Sequence, residues 1–201
     1  RVLAREAGVF ITEGRHAAHV TSTKSSAVDI VTQMDVAAER LLRERISQLR
    51  PQDAVLGEEG DDTPGNSGIT WVLDPIDGTV NFTRGRSFSA VSVALTVDRK
   101  PRIALVYDPY SREMFTAQAG LGARLNGEPI RVSGKPFDQA LITFGTAPYH
   151  PQLSKVSLQA ALAMLHEAGD LRRTGSAALD LAWTACGRTD FFFEMLLSPW
   201  D

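Results

Sequence analysis

The segment of residues 71–82 constrains the fold of this chain more than any other, because it places two carboxylates where a strand must give way to a helix. Residues 71–73 are apolar and predict a short buried strand. Pro75 is expected to end that strand, since proline cannot donate a hydrogen bond to a sheet. Gly78 and Thr79 then predict a turn into a helix, whose first N–H groups can face an anion.

The two carboxylates in this segment predict a metal site. Asp74 and Asp77 stand three residues apart, and the carbonyl of Ile76 lies between them. Such hard oxygen ligands select Mg²⁺ or Mn²⁺, and two ions that share one carboxylate lie about 3.5–4 Å apart, a spacing suited to phosphoryl transfer. The alternative is a simple Asx-type turn, in which Asp74 and Asp77 cap a helix and bind no metal.

A second acidic segment lies upstream. Residues 54–57 are apolar, end in glycine and predict a strand that delivers Glu58 at its end. Glu58 is therefore a candidate for the same metal cluster. Glu59, Asp61 and Asp62 are predicted to form a solvated acidic loop instead.

Three motifs resemble those of the inositol monophosphatase family of Mg²⁺-dependent, often lithium-sensitive phosphatases. Residues 57–59 match its G-E-E motif, residues 74–82 its D-P-I-D-G-T-x-N-F motif, and residues 200–201 its W-D motif, in the family's order. The resemblance covers most of the chain. It implies an α/β (α+β) fold, a five-layer αβαβα sandwich with the active site between two halves.

The resemblance also implies the metal ligands. It assigns one Mg²⁺ to Glu58, Asp74 and the Ile76 carbonyl, and a second to Asp74, Asp77 and Asp201. Water on the first ion is then the expected nucleophile in a direct hydrolysis, without a phosphoenzyme.

Further positions take their expected roles from the same resemblance. Asp35 is placed beside Thr79, and these two residues, with Glu58, form the implied catalytic set. Glu194 is expected to accept hydrogen bonds from sugar hydroxyls, and the 145–146 loop to touch the alcohol half of the substrate. The implied substrate contacts are Asp77, Gly78, Thr79, Ala177 and Glu194.

The periodicity of apolar residues predicts the remaining elements. Leu3, Ala7 and Ile11 indicate a first helix, and residues 34–49 a second, with Asp35 in its first turn and Glu39 on its polar side. Strands are predicted at 88–97, 103–107, 114–117 and 130–132 as an antiparallel meander, then at 141–144 and, buried, at 191–195. Two more helices are predicted at about 158–165 and at 177–186. The predicted domains are 1–137, which carries the metal motifs, and 138–201, truncated at the W-D motif.

The composition excludes some functions. A net charge of −3 and a pI near 5.8 give no basic surface for nucleic acid or an anionic membrane. One cysteine, Cys186, cannot form an internal disulfide, and the sequence contains no apolar run of membrane-spanning length. We expect a cytoplasmic protein that acts on a small phosphorylated substrate and, from the resemblance, a homodimer.

The predicted reaction is metal-dependent hydrolysis of a phosphate monoester, with inositol monophosphate as the first candidate. Histidinol phosphate, fructose 1,6-bisphosphate and adenosine bisphosphate are processed by related sequences and stay open. A non-catalytic regulatory member is the alternative from another class. Ser198 stands where some inositol phosphatases carry a His, and Lys24 could either neutralise the carboxylates or cover apolar surface with its stem.

The W-D motif of the family normally continues into a helix and further strands, yet Trp200 and Asp201 are the last residues here. We therefore expect the natural polypeptide to extend several dozen residues beyond Asp201. The corollary is an incomplete metal site, in which Asp201 is not firmly held.

Overall fold

The computed structural model describes residues 1–15, 20–23 and 30–201. The interpretations of Lys24 and of the start of the 24–35 segment lie outside the described residues. In the described part, the helices are α1 (Val2–Gly14), α2 (Gln33–Leu49), α3 (Thr79–Thr83), α4 (Ser154–Glu167) and α5 (Ala177–Ala185). Short 3-10 helices lie at Phe137–Gln139 and Pro151–Leu153.

The described strands form three sheets. They are β1 (Val20–Thr23), β2 (Ile30–Thr32), β3 (Ala54–Gly57), β4 (Ile69–Asp77), β5 (Ala90–Val97), β6 (Lys100–Asp108), β7 (Glu113–Gln118), β8 (Gly122–Leu125), β9 (Glu128–Pro129), β10 (Leu141–Phe144), β11 (Asp170–Arg172) and β12 (Phe191–Phe193). Strands β3 to β9 make one sheet in sequence order, where β3 and β4 are parallel and the other neighbours antiparallel. Strands β11, β10 and β12 make a parallel sheet, and β1 pairs with β2.

The layers follow the predicted αβαβα order. Helices α1 and α2 contact each other and the large sheet at β4, β5 and β6. Helix α5 contacts β5 and β6 of the large sheet and β12 of the small one, so it lies between the sheets, while α4 contacts β11. Within the described part, no helix is both long enough and apolar enough to cross a bilayer.

The main core lies between the first two helices and the large sheet. Ile11, Leu42 and Ile46 are almost completely buried against Leu73 and Val93. Burying each such side chain stabilises the fold by about 1.5–3 kcal/mol relative to leaving it exposed. This packing confirms the apolar periodicity of the two helices and fixes α2 against the end of β4.

Strand β4 does not end at Pro75 as the sequence predicts. It continues to Asp77, with an irregular register between the pairs Asp74–Ser92 and Asp77–Ala90. A bulge of this kind lets a strand accommodate a proline, because the missing N–H falls where the regular pairing is already interrupted. Both aspartates flank this irregularity and are buried.

Two predicted strands differ from the structure. Residues 130–132 are not a strand, because the chain turns earlier, at Asn126 and Gly127, and pairs β8 with β9. Both turn residues have positive φ, as a tight hairpin requires. The strand predicted as buried at 191–195 is the edge strand β12, where Phe191 is 43% exposed.

Candidate metal centre

The end of β4 and the end of the chain bring three carboxylates together. Asp74, Asp77 and Asp201 each place one oxygen within 4.8 Å of the others. Glu58, which follows β3, lies close enough to Asp74 for its charge to raise the pKa of that residue. The predicted carboxylate ligands thus come from three separate segments, with Glu58 next to the group of Asp74, Asp77 and Asp201.

The electrostatics of this cluster fit a divalent cation. Burial raises the pKa of Asp74 well above its ordinary value, and the charges of Glu58, Asp77 and Asp201 raise it further. Burial also raises the pKa of Asp77 to about 7, and Asp201 and Glu58 again add to the shift, while hydrogen bonds from Ser176 and Ala178 oppose it. Buried like charges of this kind repel one another unless a cation lies among them, and an all-oxygen donor set suits Mg²⁺.

Asp201 is held by a local turn. The Ser198 N–H donates to Asp201 Oδ2 at 2.5 Å, and the Asp201 N–H donates to the Ser198 carbonyl at 3.2 Å. Within this turn, the carboxylate places an oxygen near those of Asp74 and Asp77. The expectation of an incomplete metal site stays a prediction.

Asp74 also takes part in the Asx-type turn of the alternative prediction. The Ile76 N–H donates to Asp74 Oδ1 at 3.0 Å. Asp74 therefore takes part both in this local turn and in the acidic cluster. The Asx-type bond at Asp74 thus exists, and metal binding at the same residue stays a prediction.

Thr79 and Asp35 meet as the resemblance implies. Thr79 Oγ1 donates to Asp35 Oδ1 at 3.0 Å and lies 3.1 Å from the Ile76 carbonyl oxygen. Asp35 is buried in the first turn of α2, where it completes a capping box with Thr32. Burial raises the pKa of Asp35, and hydrogen bonds from Thr32 and Thr79 oppose that shift.

The first turn of α5 is hydrogen-bonded to Asp77 of the cluster. The Ser176 hydroxyl donates to Asp77 Oδ2, and the Ala178 N–H donates to the same oxygen at 2.9 Å. Ala177, a predicted substrate contact, is buried in this first turn. Asp77 thus caps α5 and not the short helix α3 next to it. Ser176, at the start of α5, lies 99 residues further along the chain than Asp77.

Gly78 is required by both its conformation and its surroundings. Its φ is +92°, and a Cβ atom there would lie 2.8 Å from the Phe88 carbonyl oxygen and 3.1 Å from that of Gly175. A side chain would push the 175–176 backbone away from Asp77. The predicted phosphate-binding turn is therefore packed between two other segments.

Asn81 is a structural link that the sequence analysis did not single out. Its Nδ2 donates to the Phe88 carbonyl at 2.8 Å and to the Thr174 carbonyl at 2.9 Å. The residue is buried. Its place in the D-P-I-D-G-T-x-N-F motif was the available signal, since a buried amide in a motif must have hydrogen-bond partners.

We expect Asn81→Ala to lower the free energy of unfolding by about 2–3 kcal/mol, because it removes a buried side chain and leaves the Phe88 and Thr174 carbonyls without their donor. Urea unfolding followed by circular dichroism measures this change. Asn66→Ala, at an exposed position, is the matched control and should change the free energy by less than about 0.5 kcal/mol. Equal stability of the two variants would show that the Asn81 bonds to Phe88 and Thr174 do not stabilise the fold.

Glu194 lies beside the cluster and next to the predicted 145–146 loop. Its Oε1 accepts from the Ala147 N–H at 2.8 Å. A Cβ atom on Gly145 would come within 1.8 Å of Glu194 Oε2, so this glycine makes room for the carboxylate. Burial raises the pKa of Glu194, the charge of Asp201 adds to the shift, and Arg173 opposes it.

The contacts of Glu39 show that Glu59 is not part of the fully solvated loop that the sequence predicts. The sequence placed it on the polar side of α2, but it is only 2% exposed. Its carboxylate accepts from the N–H groups of Glu59 and Gly60 at 2.8 and 2.9 Å. Glu59 is therefore tied down and half-buried, whereas Asp61 and Asp62 are exposed as predicted.

Comparison with known proteins agrees with the family resemblance of the sequence motifs. Residues 1–201 match the model of the inositol monophosphatase family. "Nus factor SuhB" of Xylella fastidiosa is 40% identical over 179 residues, which cover 89% of this chain and 65% of that protein. The chain thus spans just under two thirds of this relative's length.

Solved structures share the whole fold. The extragenic suppressor protein suhB of Bartonella henselae superimposes with a TM-score of 0.93 and 36% identity, over 100% of this chain and 78% of that chain. An IMPase of Thermotoga maritima gives a TM-score of 0.89 and 29% identity, over 99% and 76%. With the family model matched over all 201 residues and the carboxylates of its motifs assembled in one place, the chain belongs to the inositol monophosphatase family.

Proposed function

We propose that this protein hydrolyses a small phosphate monoester, with inositol monophosphate as the first candidate, and that it requires Mg²⁺. The observation that supports this proposal is the acidic cluster of Glu58, Asp74, Asp77 and Asp201 beside the Thr79–Asp35 pair. The family to which the chain belongs is named for phosphatase activity, and its members generally depend on Mg²⁺.

The four carboxylates and the Ile76 carbonyl are the groups that would hold Mg²⁺. When bound, Mg²⁺ supplies Lewis-acid chemistry: it lowers the pKa of water and offsets negative charge on the phosphate and the leaving oxygen. Oxygen-only ligands of this number satisfy the preference of that ion.

The protein's own residues would orient the reactants. Thr79 donates its hydroxyl proton to Asp35, so its oxygen can accept a hydrogen bond from the attacking water. The raised pKa of Asp35 makes this carboxylate a better proton acceptor than an exposed aspartate, and the proton can pass to it through Thr79. The N–H groups of Gly78 and Thr79 are the proposed phosphate contacts.

The alcohol half of the substrate would lie against Glu194 and Ala177. A carboxylate accepts hydrogen bonds from hydroxyl groups, which favours a polyol such as inositol. Histidinol phosphate, fructose 1,6-bisphosphate and adenosine bisphosphate are the alternative substrates. Ser198 holds Asp201 in its turn and offers a smaller contact to the leaving group than a His at that position.

We expect Glu194→Gln to lower kcat/KM for inositol monophosphate about tenfold, or about 1.4 kcal/mol, because the charged acceptor for hydroxyl groups is lost. An aryl phosphate, which has no such hydroxyls, should be hydrolysed at nearly the wild-type rate and serves as the internal control. Steady-state phosphate release with both substrates measures the ratio. Equal losses for both would make Glu194 a purely structural residue.

The name of several relatives favours a second candidate function. Proteins called Nus factor SuhB share 38–40% identity with this chain, so a regulatory role is the alternative to catalysis. Phosphate release from a panel of monoesters, with Mg²⁺ and then with EDTA, separates the two. A folded, Mg²⁺-saturated protein that releases no phosphate from any of them would overturn the proposed hydrolysis.

A cytoplasmic location and a homodimer belong to the same proposal. Both derive from the expectations set by the sequence. Light scattering coupled to size-exclusion chromatography tests the dimer. A measured mass equal to that of one chain would contradict it.

A further inference from the structure

A buried ion pair lies directly behind the candidate metal ligand Glu58. Glu39 is 2% exposed, and its Oε1 accepts from Arg43 Nε at 2.7 Å. The two residues are one turn apart on α2. A buried carboxylate without a partner would lower the stability of the folded protein. The ion pair with Arg43 offsets that loss for Glu39.

The carboxylate of Glu39 holds the backbone immediately after Glu58. Its Oε2 accepts the Glu59 N–H at 2.8 Å, and its Oε1 accepts the Gly60 N–H at 2.9 Å. Hydrogen bonds from N–H groups to an ionised acceptor are about twice as strong as neutral ones. The backbone that follows Glu58 is thus fixed from the side of the helix.

The backbone of Glu58 itself is fixed from the opposite side. Its N–H donates to the Leu73 carbonyl at 3.2 Å, which extends the pairing of β3 with β4. Leu73 directly precedes Asp74, the carboxylate whose pKa the nearby charge of Glu58 raises. The Glu58 side chain therefore leaves a segment held by β4 on one side and by Glu39 on the other.

Close packing shows how tightly the segment lies over Glu39. A Cβ atom on Gly57 would come within 2.5 Å of the Glu39 carboxyl group. Arg43 adds two contacts to the following loop, from Nη1 to Thr63 Oγ1 at 3.0 Å and from Nη2 to the Gly60 carbonyl at 3.3 Å. The loop is therefore attached to the helix at several points.

Helix α2 also carries Asp35, one turn before Glu39. The same rigid element thus contacts Thr79 through Asp35 and the Glu58 segment through Glu39. We propose that Glu39 is a positioning residue, which sets the placement of the Glu58 carboxylate relative to Asp74 and to the Thr79–Asp35 pair. This inference rests on the proposed metal-dependent function.

Glu39→Gln is the first test. The amide keeps the size of the side chain but offers one acceptor oxygen, so either the Glu59 or the Gly60 N–H would face a donor. We expect the affinity of the metal-free protein for Mn²⁺, measured by electron paramagnetic resonance, to fall about 10- to 100-fold, as for other residues that orient metal ligands. The Mg²⁺ concentration needed for half-maximal kcat should rise by a similar factor, with partial recovery at high Mg²⁺.

Asp53→Asn is the matched control. Asp53 is a buried carboxylate at the start of β3, and it accepts from Arg50, Ser67 and Trp71 side chains. Its replacement should lower the unfolding temperature to a comparable extent and leave the Mn²⁺ affinity unchanged. If both variants bind Mn²⁺ as the wild type does, Glu39 only packs the helix against the loop and the proposal is wrong.

Gly57→Ala covers the case in which Glu39→Gln does not fold. The added methyl group would displace the Glu39 carboxylate from the Glu59 and Gly60 N–H groups without removing its charge, and should weaken Mn²⁺ binding about tenfold. Unchanged affinity would overturn the proposal. A wild type that binds Mn²⁺ but hydrolyses no monoester would contradict the proposed function alone, because the binding comparison needs no substrate.

Discussion

Asp74→Asn is expected to lower Mg²⁺-dependent phosphate release at least about 100-fold, which corresponds to about 2.7 kcal/mol of transition-state stabilisation. Asp74 is the residue whose carboxylate neighbours Glu58, Asp77 and Asp201 at once, so it is the proposed ligand common to both ions. A neutral amide offers one weaker oxygen in place of two charged ones. Initial rates over a range of Mg²⁺ concentrations measure the loss.

The fold should survive this substitution. Asn can still accept the Ile76 N–H that Asp74 accepts, and the removal of one buried charge relieves repulsion in the cluster. Asp61→Asn, in the exposed part of the acidic loop, is the control and should keep wild-type activity. If purified Asp74→Asn retained more than a tenth of the wild-type turnover at saturating Mg²⁺, the shared-ligand assignment would be wrong.

The metal-free protein is expected to lose stability as the pH rises from about 4 to 7. Asp77 has a pKa of about 7 in the folded state against an ordinary 3.8. Between these values the folded protein holds a proton that the unfolded chain has released, so the free energy of unfolding falls with pH and levels off above about 7. A shift of this size corresponds to about 4 kcal/mol at 1.36 kcal/mol per pH unit. The raised pKa of Asp74 acts in the same direction.

Urea unfolding in EDTA at pH 5 and pH 8 measures this effect. Asp77→Asn keeps an acceptor for Ser176 and Ala178 but cannot ionise, so the variant should gain stability relative to wild type as the pH rises. Mg²⁺ should reverse the trend, because it neutralises the ionised carboxylates and therefore stabilises the protein more at pH 8 than at pH 5. A wild-type-to-variant difference that does not change between pH 5 and pH 8 would contradict the raised pKa of Asp77 in the metal-free protein.

Features that depend on neighbouring residues could be predicted from the sequence. Residues 74–82 specify their own turn and helix start, because Gly78 alone tolerates the positive φ and Asp74 caps the turn through the next-but-one N–H. The apolar stripe of α2 and the cap at Asp35 are equally local. The family motifs then supplied Glu58 and Asp201 as partners of Asp74, and the structure brings these residues together.

Other features were settled by contacts between distant segments. The sequence pattern could not show which polar residues of α2 are buried. Glu39 is buried because the Glu59–Gly60 loop, some 20 residues away, folds back onto it. Asn81 acquires its role because Phe88 and Thr174 present carbonyl groups to it. Glu39 and Asn81 are buried, and each finds its hydrogen-bond partners in a distant segment that no local rule identifies.

Asp77 shows most directly which properties follow from local sequence and which from tertiary structure. Its presence after β4, and its fitness to bind Mg²⁺, are written in the local sequence. Its environment is tertiary: the first turn of α5 donates two hydrogen bonds to it, the end of the chain places Asp201 beside it, and burial raises its pKa to about 7. Local sequence determined which oxygens are available, because hydrogen bonds within a few residues shape a turn. Tertiary packing alone decided their charge and mutual distance, because both depend on how much water and which other carboxylates the fold leaves around them.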